Sequence, residues 1–471
     1  MEALEFVHSG FDDMTIDKIN EIQKSLSVGY NYSTVDQTGF GATRVESLET
    51  TMKMAVAQES SIRFFKALGK KPATSTIEEY TKMNELGSAN FFTEGGSPEE
   101  YDEDISREFE KVKYIGALGK IPFVATMVKS IVDNEAMIIK AKTVAILKEL
   151  NYKSLFGNSD FASAEFNGIL KQFEDRVRYK TQNVIDLGGK HLTPEVIGQG
   201  ALVIQENYGD PMNLKLWGSP GSFQDYAKGL IRTKTFMVGN NNVNSLAVVP
   251  RDFELGEGKG RFEDDIFLKS RGAHYHERLH PKMNKEMDTF VATSPKAPAK
   301  LNSSTATATA GADTTSKLPA GTYDYAITAR NNYGVSAAYE IKNVVVTANQ
   351  KVTFTLSDNN SISGQEALSF EIYRKPASNT SPQAYRYLNT FKTGSTIVDN
   401  GEYIPGTTTA FLFDWDFEQV LAYKELLPMV KMPLAQIDDS KRWMQKHYGT
   451  PIVYNPNKIV VFKNVGSDLW S

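Results

Sequence analysis

The sequence predicts an α+β protein interrupted, in its C-terminal half, by an all-β sandwich. Composition shifts sharply near Ser294 and the chain stays rich in Ser and Thr, with short strand-like runs, to about Thr409. On either side of that stretch, long helical patterns mix with isolated strands. With 471 residues the chain is also roughly three times a typical domain, so more than one core is expected.

The first distinctive element, Pro72 to Gly116, reads as a long hairpin. Ala73–Met83 and Ser106–Ile115 flank a tip containing Gly87, Gly95, Gly96, Ser97 and Pro98. Between Arg107 and Ile115 one face carries Arg107, Phe109, Lys111, Lys113 and Ile115, and the other Glu108, Glu110, Val112 and Tyr114, so neither is cleanly apolar. Such a ribbon builds no core of its own and is marginal in water, which predicts that it rests on another subunit. The acidic run Glu99, Glu100, Tyr101, Asp102, Glu103, Asp104 lies near the tip. It reads as a solvated loop, or as an intersubunit contact with lysines such as Lys70, Lys71, Lys111 and Lys113 of a neighbour.

Asp133 or Asn134 can cap the next element, a helix with the stripe Ile139, Thr143, Ile146, Leu147, Leu150, expected to run to about Phe156. Thr193-Pro194-Glu195 opens another helix, with a hydroxyl for the cap, proline in the first position and an acid in the first turn; it should end before Tyr208-Gly209-Asp210-Pro211. The sandwich is entered through Ser294–Pro298 and the low-complexity stretch Ser303–Ala312. Tyr323, Tyr325 and Ile327 alternate with polar residues, as do Val352, Phe354 and Leu356, then Phe370 and Ile372. Turn residues separate these runs at Asn331-Asn332, Ala348-Asn349, Asp358–Asn360, Ser378-Asn379, Asp399-Asn400-Gly401 and Pro405-Gly406. That pattern predicts an immunoglobulin-like or fibronectin-III-like sandwich, inserted as a unit whose ends lie close together.

Charge and composition narrow the function. The balance of 52 Lys+Arg against 57 Asp+Glu, net −5, leaves no broad basic surface and disfavours a protein that reads nucleic-acid sequence. Zero cysteines exclude disulfides, thiolate metal sites and a Cys nucleophile. The N-terminus carries Glu2 and Glu5 and has neither a basic n-region nor an apolar h-region, and no apolar run reaches the roughly 18 residues that span a bilayer, so a non-exported chain with no membrane partner is expected. His274, His276 and His280 are the one metal candidate, a weak one: H-x-H on a strand puts two imidazoles on one side, yet no clear carboxylate ligand beyond Glu277 stands close, and a polar strand end is the plainer reading. Gly256-Glu257-Gly258-Lys259-Gly260 lacks phosphate-loop spacing and reads as a flexible surface loop. There is no G-x-S-x-G elbow, and the acid pairs Asp264-Asp265 and Asp438-Asp439 read as solvated surface. No catalytic constellation and no cofactor site emerge.

Several stretches resemble one family, the major capsid proteins of tailed bacteriophages with the Hong Kong 97-type fold, particularly those of large contractile-tailed phages. Gly29-Tyr30 and Gly41-Ala42-Thr43-Arg44-Val45-Glu46-Ser47-Leu48 are similar to the family's extended arm leading into a helix. Phe64–Lys71, then Pro72–Thr76, resembles the approach to its E-loop hairpin, and Tyr208–Pro211 with Trp217-Gly218-Ser219-Pro220 and Phe223 the helix-to-strand passage of its axial domain. The most specific stretch is C-terminal: Glu425–Met429, Met432–Ile437, Tyr448-Gly449 and Lys463-Asn464-Val465.

The resemblance implies a Hong Kong 97-type fold with an inserted immunoglobulin-like sandwich. Its parts would be an N-terminal arm and leading helix (1–66), an E-loop (67–120), a peripheral domain with the spine helix (121–157), axial and further peripheral sequence (158–293), the insertion (294–409) and a C-terminal return (410–471). It implies function without enzymatic chemistry: pentamers and hexamers of this chain closing into an icosahedral shell around double-stranded DNA, in the virion, after assembly in the host cytoplasm. Glu99, Glu100, Asp102, Glu103, Asp104, Lys111 and Lys113 would then be the E-loop's intersubunit contacts. Many relatives begin with a long charged scaffolding segment, whereas arm-like sequence here begins at Gly29. This predicts a separate scaffolding protein, or an already mature chain, with portal and decoration proteins as further partners. The rival expectation, from another class, is a surface-binding or carbohydrate-active protein carrying a fibronectin-like module.

Overall fold

In the computed structural model, the described residues are 62–85, 87, 89–97, 102–127, 134–178, 180–233, 251–255, 258–268, 294–359, 362–376 and 385–466. The helix Asn134–Phe156 has 23 residues, about 35 Å at 1.5 Å per residue. Its C-terminal half is enclosed by protein, with Ile146, Leu150, Asn151, Tyr152 and Leu155 all buried. Its N-terminal half carries one side of a four-stranded sheet, ordered Lys70–Pro72, Leu421–Pro433, Ser440–Val453, Lys113–Pro122. There Gln445 Nε2 donates to the Ile139 carbonyl at 3.3 Å and to Thr143 Oγ1 at 3.1 Å. Thr143, expected in an apolar stripe, thus serves as a polar contact between helix and sheet. Gly119 lies against the Trp443 ring so closely that a Cβ would fall 2.3 Å from it.

A second sheet of six strands runs in the order Val184–Asp186, Ile459–Val465, Thr408–Asp414, Leu214–Gly218, Gly258–Asp264, Asp252–Leu255. Its strand Thr408–Asp414 is buried on both faces, which its run Ala-Phe-Leu-Phe requires. Phe411 and Phe413 join Phe64, Trp217 and Trp415 in one core. Ala410 and Leu412 point the other way, joining Ile204, Phe262 and Phe462 in a second. The helix Pro194–Glu206 covers that second core and is capped by Thr193, whose Oγ1 accepts from the Val196 amide. Buried Asp265 ties these layers together: it accepts from the Phe64 amide at 3.1 Å and from Asn151 Nδ2 at 2.9 Å, while Asn151 Oδ1 accepts from the Phe65 amide at 2.8 Å.

Between Ser294 and Asp399 the chain forms two antiparallel sheets facing one another. One has four strands, ordered Tyr339–Val346, Gly321–Arg330, Ser369–Pro376, Arg386–Lys392, and the other three, ordered Ile397–Asp399, Gln350–Leu356, Ala306–Ala312. Tyr325, Ile327, Val352, Phe354, Phe370 and Ile372 fill the space between them. The period-two pattern predicts one solvated face for Gly321–Arg330, but Ala326 and Thr328 on the opposite face are buried as well. That face carries Tyr373, Tyr385 and Glu371 toward the end of the long helix. The strand Thr408–Asp414 of the six-stranded sheet follows, with Thr408 itself buried.

One buried titratable group gives the body a measurable pH response. His447 is almost wholly buried, its Nε2 2.9 Å from the Tyr423 hydroxyl and its Nδ1 3.5 Å from Glu425. Burial, with Lys70 nearby, holds its pKa down to about 4 from the ordinary 6.5. The folded chain therefore binds fewer protons than the unfolded chain between those values, so the contribution of neutral His447 is complete above the ordinary pKa and is lost as pH falls toward the folded one. Across that window the wild type should lose about 1.4 kcal/mol per pH unit more than a His447→Gln variant. Denaturant unfolding at several pH values reads the difference, and parallel slopes would refute it.

Candidate assembly interface

The hairpin pairs Ile77–Glu85 with Asp104–Lys111, in the register Ile77↔Lys111, Glu79↔Phe109, Thr81↔Arg107, Met83↔Ile105. It is shorter than expected. Val112, read from the sequence as part of a continuous strand, is buried, donates its amide to Thr76 O at 2.9 Å and breaks the ribbon; Lys113–Pro122 then joins the four-stranded sheet. An apolar side chain drawn into the subunit's own core is the cause.

Alternation along the ribbon separates two faces of inverted polarity. Glu78, Tyr80, Glu108 and Glu110 turn toward the body and are buried or half-buried. Arg176, at the end of the helix Ile169–Arg176, reaches Glu108 at 3.0 Å, Tyr80 Oη at 3.1 Å and the Glu110 carboxylate. The Tyr80 hydroxyl also lies 2.9 Å from the Val453 carbonyl, and Lys424 stands 3.5 Å from Glu78. Burial pushes the pKa of the Glu110 carboxyl and the Tyr80 hydroxyl upward despite Arg176. The outer face is exposed and mixes Glu79, Thr81, Arg107 and Lys111 with the apolar Ile77, Met83, Ile105 and Phe109. The ribbon is therefore held to its own subunit by ions and shows its hydrocarbon to solvent.

A second apolar surface lies on the four-stranded sheet, opposite the helix. Tyr114 pairs with Tyr448 and Leu118 with Met444, and Val430 and Met432 follow on the next strand. The rings of Tyr114 and Tyr448 meet edge to face at 4.6 Å. Tyr114, Leu118, Val430 and Met432 are all exposed.

The residues expected to make intersubunit contacts are only partly covered. Glu99 and Glu100 lie outside the described residues. Asp102, Glu103 and Asp104 are exposed, and Asp104 accepts from Asn84 Nδ2 at 3.1 Å. Lys111 is exposed, whereas Lys113 turns to its own subunit and donates to the Ser163 carbonyl at 2.6 Å. Among the described residues no ion pair joins these acids to these lysines within the subunit.

His274, His276 and His280 lie outside the described residues, and among the described residues no group of three or more His, Asp or Glu side chains could hold a metal ion. Asp264 is paired with Arg63 and Arg251, Asp265 is the buried tie already described, and Asp438 is held by Lys120 and Arg442. Gly258-Lys259-Gly260, expected in a flexible loop, opens a strand; there a Cβ on Gly260 would fall 2.5 Å from the Leu214 carbonyl, so glycine is needed for close strand approach. Sequence reasoning missed Arg176, whose place at a helix end is indistinguishable from an ordinary surface charge.

No protein-family description matches the chain. Full-length relatives do. The major capsid protein of Staphylococcus phage S25-3 is 23% identical over 461 residues, covering 94% of this chain and 95% of the relative. The major capsid protein of Staphylococcus phage K matches with the same identity and coverage. A solved capsid structure of cyanophage P-SCSP1u aligns with a TM-score of 0.45 at 7% identity, over 93% of this chain and 98% of the other. The relatives are named for a structural role, and along nearly the whole of its length this chain is similar to those phage major capsid proteins.

Proposed function

We propose that the chain builds a phage head shell as pentamers and hexamers of itself, in the Hong Kong 97-type arrangement, enclosing double-stranded DNA without reading its sequence. The observation that carries the mode of assembly is the inverted ribbon. A face bearing Ile77, Met83, Ile105 and Phe109 gains nothing from water and is stabilised when a second copy covers it. Its seat is the open sheet face of Tyr114, Leu118, Val430 and Met432 on a neighbour, which needs a cover of the same kind. The acidic residues from Glu99 to Asp104 then meet lysines of that neighbour, Lys111 among them. A mildly acidic chain, net −5, suits a container that must not hold its DNA tightly.

In this reading residues 67–120 are the E-loop and Asn134–Phe156 the spine helix. The two-sheet unit from Ser294 is an immunoglobulin-like insertion on the outer side of the shell, and a separate scaffolding protein, a portal and decoration proteins complete assembly in the host cytoplasm. Electron microscopy of the purified chain tests the core of it. Shells, tubes or hexameric rings are expected, and a chain lacking Leu86–Glu103 should keep its circular dichroism while forming none of them. Uniform monomers from the full chain, or normal shells from the deletion, would overturn the reading.

A further inference from the structure

Between the long helix and the helix Ile169–Arg176 the chain makes a loop closed at the neck by two glycines. The Gly168 amide donates to the Gly157 carbonyl at 2.8 Å, and the Gly157 amide to Lys153 O at 2.8 Å. A Cβ on either glycine would fall 2.6 Å from neighbouring backbone atoms, so only glycine lets the two strands of the neck meet. Inside the loop, Ser159 Oγ donates to Asn167 Oδ1 at 2.8 Å and the Asp160 amide to Asn158 Oδ1 at 2.8 Å, so its own side chains hold it in shape.

This loop touches the hairpin's base with one flank and the sandwich with the other. On the hairpin side, Lys113 Nζ donates to the Ser163 carbonyl at 2.6 Å and Asn167 Nδ2 to Glu110 at 3.4 Å. On the sandwich side, Asn332 donates to Ser163 Oγ at 3.0 Å and accepts from the Ala164 amide at 3.3 Å. Ser369 Oγ donates to the Phe161 carbonyl at 3.0 Å, Lys392 lies 3.1 Å from Asp160, and Arg330 pairs with Glu165, whose other oxygen takes Lys153 at 2.8 Å. Ser163 alone carries a bond to each side.

We propose that the loop Asn158–Asn167 couples the two: docking of the sandwich fixes the seat of the hairpin, and Asn332 and Arg330 are positioning residues for assembly. The inference rests on the hairpin being the assembly arm. A loop braced at its neck and across its interior has no soft place to absorb a shift, so a flank released by the sandwich is also released from the hairpin. The coupling is reciprocal, as any linkage between two binding contacts must be.

Amide hydrogen exchange on the unassembled full-length chain tests it. Asn332→Ala, which removes an exposed side chain and strands no charge, should speed exchange at Arg107–Lys111 and Lys113–Ala117 by about fivefold or more, the lower end of ordinary coupling factors, while Phe370–Arg374 inside the sandwich stays protected. Arg330→Gln should do the same more strongly, and if that variant fails to fold Asn332→Ala still decides. Lys113→Ala should reciprocally speed exchange at Asn331–Gly334. Unchanged hairpin exchange in Asn332→Ala, with Asn331–Gly334 unmoved in Lys113→Ala, would overturn the coupling. Because the measurement needs no shell, shells without coupling defeat this inference alone, and coupling without shells defeats only the assembly reading.

Discussion

A chain carrying Ile105→Lys together with Phe109→Lys should fold with an unchanged melting temperature and yield no shells. In the subunit Ile105 and Phe109 are 58% and 53% exposed, so the folded chain loses little, within the roughly 0.5 kcal/mol typical of surface changes. Lysine is the suitable replacement because Glu79 faces Phe109 across the ribbon, where glutamate would set like charges opposite each other. In the shell the loss is large. Each side chain covered by a neighbour contributes about 1.5–3 kcal/mol, and an ammonium in its place brings a desolvation cost as well. In the proposed arrangement every subunit gives one ribbon and receives one, so the loss would recur at each contact around a capsomer. Sedimentation would show monomers or small oligomers beside an unaltered circular dichroism melt; normal shells would mean that the outer face of the ribbon is not covered.

The parts of this fold that were legible in the sequence are those fixed by local chemistry. Thr193, Pro194 and Glu195 announce a helix start, and the helix begins at Pro194 because a hydroxyl, a fixed φ and an acid all favour it at once. Asn134–Phe156 was visible from the spacing of its apolar residues, and the strands around Tyr325, Val352 and Phe370 from period two.

What was not legible depends on partners distant in the chain. The alternation of Glu108 and Glu110 with Phe109 gave the two faces of the ribbon, but not which one turns inward. That choice is made by Arg176, 66 residues from Glu110, whose three-way bonding makes an ionic face the buried one. The usual expectation that apolar faces go inward fails here because it is the ionic face that finds its partners in the body. Val112 was misjudged for a related reason: local pattern continued the strand, while the subunit core drew in one valine and ended it. Nor could spacing disclose that Arg330 and Glu371 of the sandwich meet Lys153 and Glu165 of the body.

Those four residues set up the second large effect. Lys153, Glu165, Arg330 and Glu371 alternate in sign across the boundary between body and sandwich, and Thr328 and Tyr373 donate to Glu371 at 3.2 Å. Burial works to raise the pKa of Glu165, but Arg330 and Lys153 outweigh it and hold it below the usual range, whereas burial raises Glu371. Arg330 is thus the cation shared by two enclosed carboxylates. Replacing it with leucine should cost about 3–5 kcal/mol, the usual penalty for removing one partner of a buried pair, because Glu165 and Glu371 stay enclosed. Excising Ala299–Thr407 with a short Gly/Ser bridge should cost the body less than that single change. It removes Glu371 altogether and returns Lys153 and Glu165 to water, where their pair needs no third charge. Comparing the melting temperature of the body in the two variants checks the ordering. A body that melts lower after excision than in Arg330→Leu would show that the sandwich supplies apolar support to the long helix beyond this chain of charges.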